Sequence, residues 1–208
     1  MNNKTDNKII MVTGSRTFSD AQLANAALSA ALTILDAGDG DDIRLLHGAA
    51  RGADTICRDL AAARGITTTA FEPQWRDDRG RFIRSAGFKR NEQMVNHAIV
   101  ESSRTPHGKA IVIAMPTCAE DDAGDAKNSV GTWHAVRSAC RDIPGSLSDK
   151  TLQMPVFIVA RVGGAGVLVP HNATARAIAS LSADDHAIVI KHRGWAMERA
   201  VDTTCYPL

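Results

Sequence analysis

Two glycines, an arginine and an aspartate follow an apolar run in the segment HGAARGAD, residues 47–54. Glycine lets the backbone approach a ligand closely, and a guanidinium group suits phosphate or carboxylate groups. The carboxylate of Asp54 either caps a following helix or accepts hydrogen bonds from ribose hydroxyl groups; the cap is preferred, and one carboxylate can serve both roles. The segment therefore predicts a turn that holds an anionic small molecule, with Arg51 directed towards it.

Two other turns have similar chemistry. Gly14, Ser15 and Arg16 follow the apolar run KIIMVTG, and a guanidinium group next to a helix N-terminus suits a phosphate. Gly131 and Thr132 open a helix, where their N–H groups and the hydroxyl group suit a phosphate, although an ordinary threonine N-cap explains them equally. The chain has neither the GK[ST] pattern of a P-loop nor GxGxxG, so a common kinase or dehydrogenase is not supported.

Short apolar runs alternate with helical patterns along the chain. Alternating strands and helices imply right-handed crossovers and a parallel sheet covered on both faces. The predicted fold class is α/β, a Rossmann-like doubly wound parallel sheet with helices on both faces. The predicted strands are residues 8–14, 43–48, 67–71, 109–116 and 154–159. Ligands of such sheets bind at the carboxyl ends of the strands, which is where these turns lie.

The helix patterns predict boundaries and faces. Ser19 and Gln22 have the spacing of a capping box, and Gly38 is predicted to end the first helix. The second helix is predicted over 53–65, the third over about 90–97, and the fourth from near Thr132. The residues predicted to face inward from the second helix are Ile56, Leu60 and Ala63.

The composition sets limits on the function. The chain has 208 residues, 44% of them hydrophobic, with a net charge of +1, so a soluble cytoplasmic protein without membrane contact is expected. Its overall charge does not indicate nucleic-acid binding, although residues 76–90 are basic and either form a solvated loop or face an anion. The four cysteines lack metal-site spacing, so we expect no metal and no cofactor.

Three segments are predicted: a disordered N-terminus at 1–7, a nucleotide-binding domain at 8–159 and a small α+β extension at 160–208. In the extension, a glycine-rich turn precedes a strand within 161–170. A helix over residues 172–181 and a strand over 186–192 are expected to follow. Trp195 and Tyr206 are expected to pack on the main domain.

Taken in order, the motifs resemble the YspA-type branch of the SLOG superfamily, which includes the DprA/SMF proteins and the Lonely Guy phosphoribohydrolases. The resemblance rests on VTGSR, HGAARGAD, PQW, AGFKRNEQM, AMP and VGT, within residues 8–159. It implies a Rossmann-like domain that binds nucleotides or nucleotide-derived molecules. The residues that it places in the pocket are Gly14, Ser15, Arg16, Gly48, Arg51, Gly52, Asp54, Arg90, Asn91, Pro116, Gly131 and Thr132. The same loops add His47, Met115 and Ser129 to the predicted set.

One departure from that family decides between functions. Lonely Guy enzymes carry PGGxGTxxE, whose glutamate assists cleavage of the N-glycosidic bond, and this chain has Ala135 at the glutamate position. His134 and Glu92 are the available replacements, without a geometric argument for either. Binding of an NAD-like, ADP-ribose-like or cyclic signalling nucleotide by a sensor or sequestering protein is therefore preferred. The alternatives are a nucleotide N-glycosidic hydrolase and a single-stranded nucleic-acid-binding protein. A homodimer or higher homo-oligomer is expected by analogy.

Overall fold

A computed structural model describes residues 6–38, 40–116, 129–140, 154–162 and 165–171. Ten elements follow in chain order: β1 Asn7–Gly14, α1 Ala21–Ile34, β2 Asp42–His47, α2 Ala53–Ala63, β3 Thr67–Ala70, α3 Ala86–Ser102, β4 Lys109–Met115, α4 Val130–Ala139, β5 Val156–Val162 and β6 Ala165–His171. Within these ranges no helix is long and apolar enough to cross a membrane.

The strands form one sheet in the order β3-β2-β1-β4-β5-β6. The first five strands are parallel, and β6 pairs with β5 in the antiparallel direction. The predicted Rossmann-like α/β fold is therefore confirmed. The chain builds outward from β1 in one direction and then crosses back to place β4 on the other side of β1. This reversal of strand order creates the crevice in which open α/β sheets bind their ligands.

The apolar run of β1 explains why helices cover both faces of the sheet. Ile10 and Val12 pack with residues of α1 and α2, whereas Ile9 and Met11 pack with residues of α3 and α4. Successive side chains of a strand point to opposite faces, so a continuous apolar run requires a core on each side. Strand β1 is consequently the centre of the fold, and its carboxyl end lies in the middle of the ligand-binding edge.

The ends of α1 differ from the sequence prediction. Asp20, and not Ser19, is the N-cap, and its Oδ1 accepts a hydrogen bond from the backbone N–H of Leu23 at 2.9 Å. The helix ends at Ile34, and Asp36 adopts the left-handed conformation with φ of 52°, which had been expected of Gly38. Aspartate is one of the few residues that adopt this conformation readily.

The inward face predicted for α2 is wrong in part. Ala63 is exposed, and Ile56 and Leu60 are half-buried at the margin of the core. The fully buried positions include Cys57 and Ala61, because the side chains closest to the sheet are small. Burial raises the pKa of the Cys57 thiol to about 12, so this cysteine remains protonated.

The remaining boundaries differ mainly in length. Helix α3 covers Ala86–Ser102, about twice the predicted 90–97. Strand β1 begins at Asn7, inside the segment 1–7 that was expected to be disordered, and β5 continues beyond 159 to Val162. The predictions for 172–181, 186–192, Trp195 and Tyr206 lie outside the described residues, as do residues 1–5 and 117–128.

Candidate functional site

The end of β1, the start of α2 and the end of β4 are in direct contact. The Ser15 N–H donates to the Met115 carbonyl group at 2.8 Å, and the Ala53 N–H donates to the Ser15 carbonyl group at 3.2 Å. A Cβ added to Gly14 would collide with the Ala53 side chain and lie 2.7 Å from the Met115 oxygen. Glycine is therefore required at position 14 because three elements meet there.

Asp54 organises the turn between β2 and α2. Its Oδ2 accepts hydrogen bonds from the backbone N–H groups of Gly48, at 2.9 Å, and Ala50, at 3.3 Å. The N-cap of α2 is Gly52, and no side chain caps this helix, so the predicted capping role of Asp54 is wrong. Its carboxylate is instead a fixed internal acceptor that holds the turn in place.

His47 supports the same turn from the last position of β2. Its side chain is buried, and its Nδ1 accepts a hydrogen bond from the Ala49 N–H at 3.2 Å, so the ring proton is on Nε2. Burial lowers the pKa of His47, assisted by the charges of Arg58 and Arg90, which keeps the ring neutral. Ala49 has φ of 54°, a conformation that costs about 1 kcal/mol in a residue with a side chain.

The stability of the protein is expected to depend on pH through Asp54. Burial raises its pKa to about 6, opposed by the Ala50 and Gly48 amides and by the charges of Arg90 and Arg16. The folded state then holds the proton more tightly than the unfolded chain, so this contribution to stability is present at about pH 4 and is lost as the pH rises through 6. Over this pH range, the free energy of unfolding of the natural sequence is expected to fall by up to about 3 kcal/mol relative to that of Asp54→Asn.

Urea unfolding of both proteins at intervals of pH measures this effect. Asp59→Asn removes an exposed carboxylate of α2 and provides the control. A difference between the natural protein and Asp54→Asn that stays constant with pH would contradict the prediction.

Arg90 and Asn91 connect α3 to two other parts of the edge. Nη1 of Arg90 donates to the carbonyl oxygens of Gly48 and of Phe71, and its Nε donates to Asn91 Oδ1 at 2.9 Å. Nδ2 of Asn91 donates to the carbonyl oxygen of Gly131 at 2.9 Å. These two predicted site residues therefore fix the positions of the β2–α2 turn and the first turn of α4. Burial lowers the pKa of Arg90, and the Asp54 carboxylate opposes that shift.

Donors for an anion remain at the start of α2. The N–H groups of Arg51 and Gly52 make no hydrogen bond with any part of the chain that the structure describes. The side chains of Arg51 and Arg16 are exposed on adjacent turns and have no ion pair with any described residue. Because a helix N-terminus carries partial positive charge, two N–H groups and two guanidinium groups favour an anion here.

The start of α4 differs from the prediction in detail. The helix begins at Val130 with Ser129 as its N-cap, so Thr132 lies within the first turn and is not the cap. Gly131 is exposed, whereas Thr132 is buried. The side chain of Met115 is fully buried, where its sulfur contacts Cys57, and Pro116 follows it directly. The Met115 side chain therefore lies in the core beneath this edge of the sheet.

The predicted site residues include none of the aromatic residues of this region. The rings of Trp75 and Phe82 stack with an interplanar angle of 5°, and Phe88 of α3 stacks on His134 of α4. The PQW motif contributes to the family resemblance, but the sequence alone gives Trp75 no role. No spacing rule pairs positions 75 and 82, because the loop conformation brings them together.

Metal binding has no structural support within the described ranges. They contain no group of three or more histidine, cysteine, aspartate or glutamate side chains that could hold an ion. His134 Nε2 and Glu92 Oε1 lie 3.8 Å apart, but they bring together only two such side chains.

The parallel order of β3, β2, β1, β4 and β5, with turns gathered at the reversal of strand order, defines a Rossmann-like α/β protein. Residues 8–77 match the sequence model of the YspA, cpYpsA-related SLOG family, so this part of the chain is similar to that family. This similarity suggests a nucleotide-related function but identifies no particular ligand. The matched segment contains the turns with Arg16 and Arg51, but not Arg90, Asn91 or α4.

Two further comparisons complete these findings. No curated protein matches the sequence. The chain is similar to the X-ray structure of DNA processing protein A (DprA) from Streptococcus pneumoniae, with 17% identity and a TM-score of 0.35. That alignment covers 64% of this chain and 56% of DprA, so the chain spans little more than half of that protein's length.

Proposed function

We propose that this protein binds a phosphate-containing, nucleotide-derived molecule at the carboxyl edge of its sheet, as a sensor or a sequestering protein. The ligand class is an NAD-like or ADP-ribose-like molecule or a cyclic signalling nucleotide. The observation that carries the proposal is the unpaired pair of N–H groups at Arg51 and Gly52, beside the exposed guanidinium groups of Arg51 and Arg16. N–H groups at a helix N-terminus and guanidinium groups both suit a phosphate.

The internal hydrogen bonds of the turn support a preformed site. The N–H groups of Gly48, Ala49 and Ala50 are already occupied by Asp54 and His47, which leaves the following two N–H groups for a ligand. A site that is held in place before binding loses less conformational entropy when the ligand enters. Gly131, where an added Cβ would meet no atom within 4 Å, leaves space for a ligand to approach the backbone at the start of α4.

Binding is preferred to N-glycosidic hydrolysis because of the position of Ala135. This residue is fully buried and belongs to the core formed with α3, so the place of the Lonely Guy glutamate is closed to solvent. Glu92 and the mostly buried His134 lie close together between α3 and α4, and they are the carboxylate and base to examine if turnover is found. The homo-oligomeric state is likewise a proposal, to be measured by light scattering.

The ligand class can be tested directly. The purified protein is incubated with nucleotides, NAD, ADP-ribose and cyclic dinucleotides, and bound and free molecules are separated and identified by mass spectrometry. One compound retained intact is the expected result. Accumulation of free base and sugar phosphate would replace the binding proposal with hydrolysis, and retention of no phosphate-containing compound would overturn both.

Arg51→Ala is expected to weaken binding of the retained compound about 10- to 100-fold, because it removes a charge-assisted hydrogen bond worth about 1.5–3 kcal/mol. Arg51 is exposed, so the unfolding midpoint should not change. Calorimetric titration measures the affinity. Gly131→Ala, whose added Cβ meets no atom within 4 Å, reports whether α4 also contacts the ligand.

Arg58→Ala is the matched control, because Arg58 is an exposed arginine within α2, two turns beyond Arg51, and it pairs with Asp59. It should bind with the natural affinity. Equal affinity of Arg51→Ala and Arg58→Ala would show that the start of α2 is not the anion site.

A further inference from the structure

The loop between β3 and α3 contains an ordered hairpin, residues 75–83. Arg76 and Phe82 form an antiparallel bridge, and the Ile83 N–H donates to the Trp75 carbonyl oxygen at 2.8 Å. Asp77 closes the turn, since its Oδ1 accepts from the N–H groups of Arg79 and Arg81 at 3.0 and 2.8 Å. These hydrogen bonds give the 75–83 hairpin a defined conformation, so the side chains that it presents are positioned.

The 75–83 hairpin presents a flat aromatic surface to solvent. The rings of Trp75 and Phe82 stack with centroids 5.8 Å apart and an angle of 5°, yet Trp75 is 40% exposed and Phe82 is 63% exposed. A Cβ added to Gly87 would lie 3.7 Å from the Trp75 ring, so the start of α3 supports one edge of the pair. Exposed aromatic rings held in this way are typical of a surface that contacts a partner.

Positive charge surrounds the aromatic pair. The hairpin and the residues up to the first turn of α3 include five exposed basic side chains, which are Arg76, Arg79, Arg81, Arg84 and Lys89. The hairpin contains two carboxylates, Asp77 and the exposed Asp78. Hydrogen bonds from the Arg81 backbone and side chain hold the pKa of Asp77 below the usual range, and the Arg81–Asp77 ion pair measures 2.7 Å. The basic groups therefore outnumber the available acidic groups on this surface.

We propose that the 75–83 hairpin binds single-stranded nucleic acid, with bases stacking on the Trp75–Phe82 pair and phosphate groups contacting the surrounding arginines. Flat rings and exposed guanidinium groups on one short segment match the two repeating chemical groups of a polynucleotide. In a duplex the base faces are stacked on one another, so this surface selects unpaired bases. An acidic peptide matches the charge but offers no series of planar groups. This proposal does not depend on the nucleotide-derived ligand at the start of α2.

Fluorescence anisotropy tests the proposal with the full chain and a labelled oligothymidylate, compared with a duplex of equal length. The expected result is tighter binding of the single strand, with an affinity that falls steeply as salt is raised. Trp75→Ala should weaken binding about tenfold, the effect of losing one stacked base. Phe82→Ala is the second variant and should act in the same direction.

Two matched controls separate this surface from general effects. Val100→Ala removes an apolar side chain that is 51% exposed near the other end of α3, and it should leave binding unchanged. The double variant Arg79→Gln and Arg84→Gln should weaken binding and reduce its salt dependence, whereas Arg137→Gln on α4 should change neither. Circular dichroism establishes that each variant is folded.

Three outcomes would overturn the proposal. One is the absence of single-strand binding, and another is equal affinity of Trp75→Ala and Val100→Ala. The third is displacement of the oligonucleotide by polyglutamate at equal charge concentration, which would indicate an acidic protein as the partner of this surface.

Discussion

Replacing Gly52 by alanine is expected to destabilise the protein by about 3 kcal/mol or more. Gly52 has φ of 80° and ψ of −128°, a combination that residues with a side chain avoid. An added Cβ would also collide with the Ser15 carbonyl oxygen and lie 2.8 Å from that of Arg16. Both are backbone atoms, so no rotation of a side chain can relieve the contact. Urea unfolding measures the change.

Gly65→Ala provides a control that separates conformation from collision. Gly65 also has a positive φ, of 71°, but an added Cβ meets no atom within 4 Å. Its substitution is expected to cost only about 1 kcal/mol, the conformational part of the effect. Equal losses of stability in the two variants would show that the loop from β1 moves aside, and that the contact with Ser15 does not fix the edge.

Arg90→Met is expected to lower the free energy of unfolding by about 2–4 kcal/mol. The substitution keeps a long side chain but removes the donors to the carbonyl oxygens of Gly48 and Phe71, in a half-buried site where water does not fully replace them. It also removes a positive charge that lowers the pKa of Asp54. Thermal and urea unfolding measure the loss, and a further rise in the Asp54 pKa is the second readout.

Arg58→Met is the comparison for this prediction. Arg58 is exposed and its ion pair with Asp59 lies at the surface, where such pairs contribute little. We expect this substitution to lower the free energy of unfolding by less than about 0.5 kcal/mol. A loss in Arg90→Met no larger than that in Arg58→Met would mean that the connections from α3 to the turn are not important for stability.

The sequence was sufficient to predict the strands and the edge of the sheet at which the turns with Arg16 and Arg51 lie. The run KIIMVTG indicates a strand buried on both faces, and in a parallel sheet the turns after β1 and β2 share an edge. In β1 and in the turns after β1 and β2, the local sequence pattern and the overall fold lead to the same structure. The positions of Arg16 and Arg51 at the carboxyl edge follow from this topology.

Other features could not be predicted because distant contacts determine them. The inward face of α2 is set by the close approach of Ala53 to Gly14, which turns small residues towards the sheet and leaves Ile56 and Leu60 at the margin. Helix propensity and hydrophobic periodicity describe single segments of the chain, so they contain no information on the contact between Ala53 and Gly14. The N-terminal turn of α3 was also missed, since Gly87 and the charged residues near it resemble a loop in the sequence.

Asp54 shows the same limitation within the site. The sequence left two roles open, a helix cap and a ribose acceptor, and the structure reveals a third role as an acceptor for turn amides. The first N–H group of α2 donates to the Ser15 carbonyl oxygen, a partner from a loop nearly forty residues earlier in the sequence. No local pattern could have indicated this partner.

The strand order also has a consequence for synthesis on the ribosome. Strand β1 emerges first and can pair with β2 soon afterwards, but its other edge pairs with residues 109–115 of β4. Until β4 has been synthesised, one edge of the strand at Ile9 to Val12 has no pairing partner. Some of the helices that finally cover these residues are also still missing. A nascent chain of this topology therefore passes through an interval of exposure to aggregation, and cellular yield should depend on chaperone capacity during that interval.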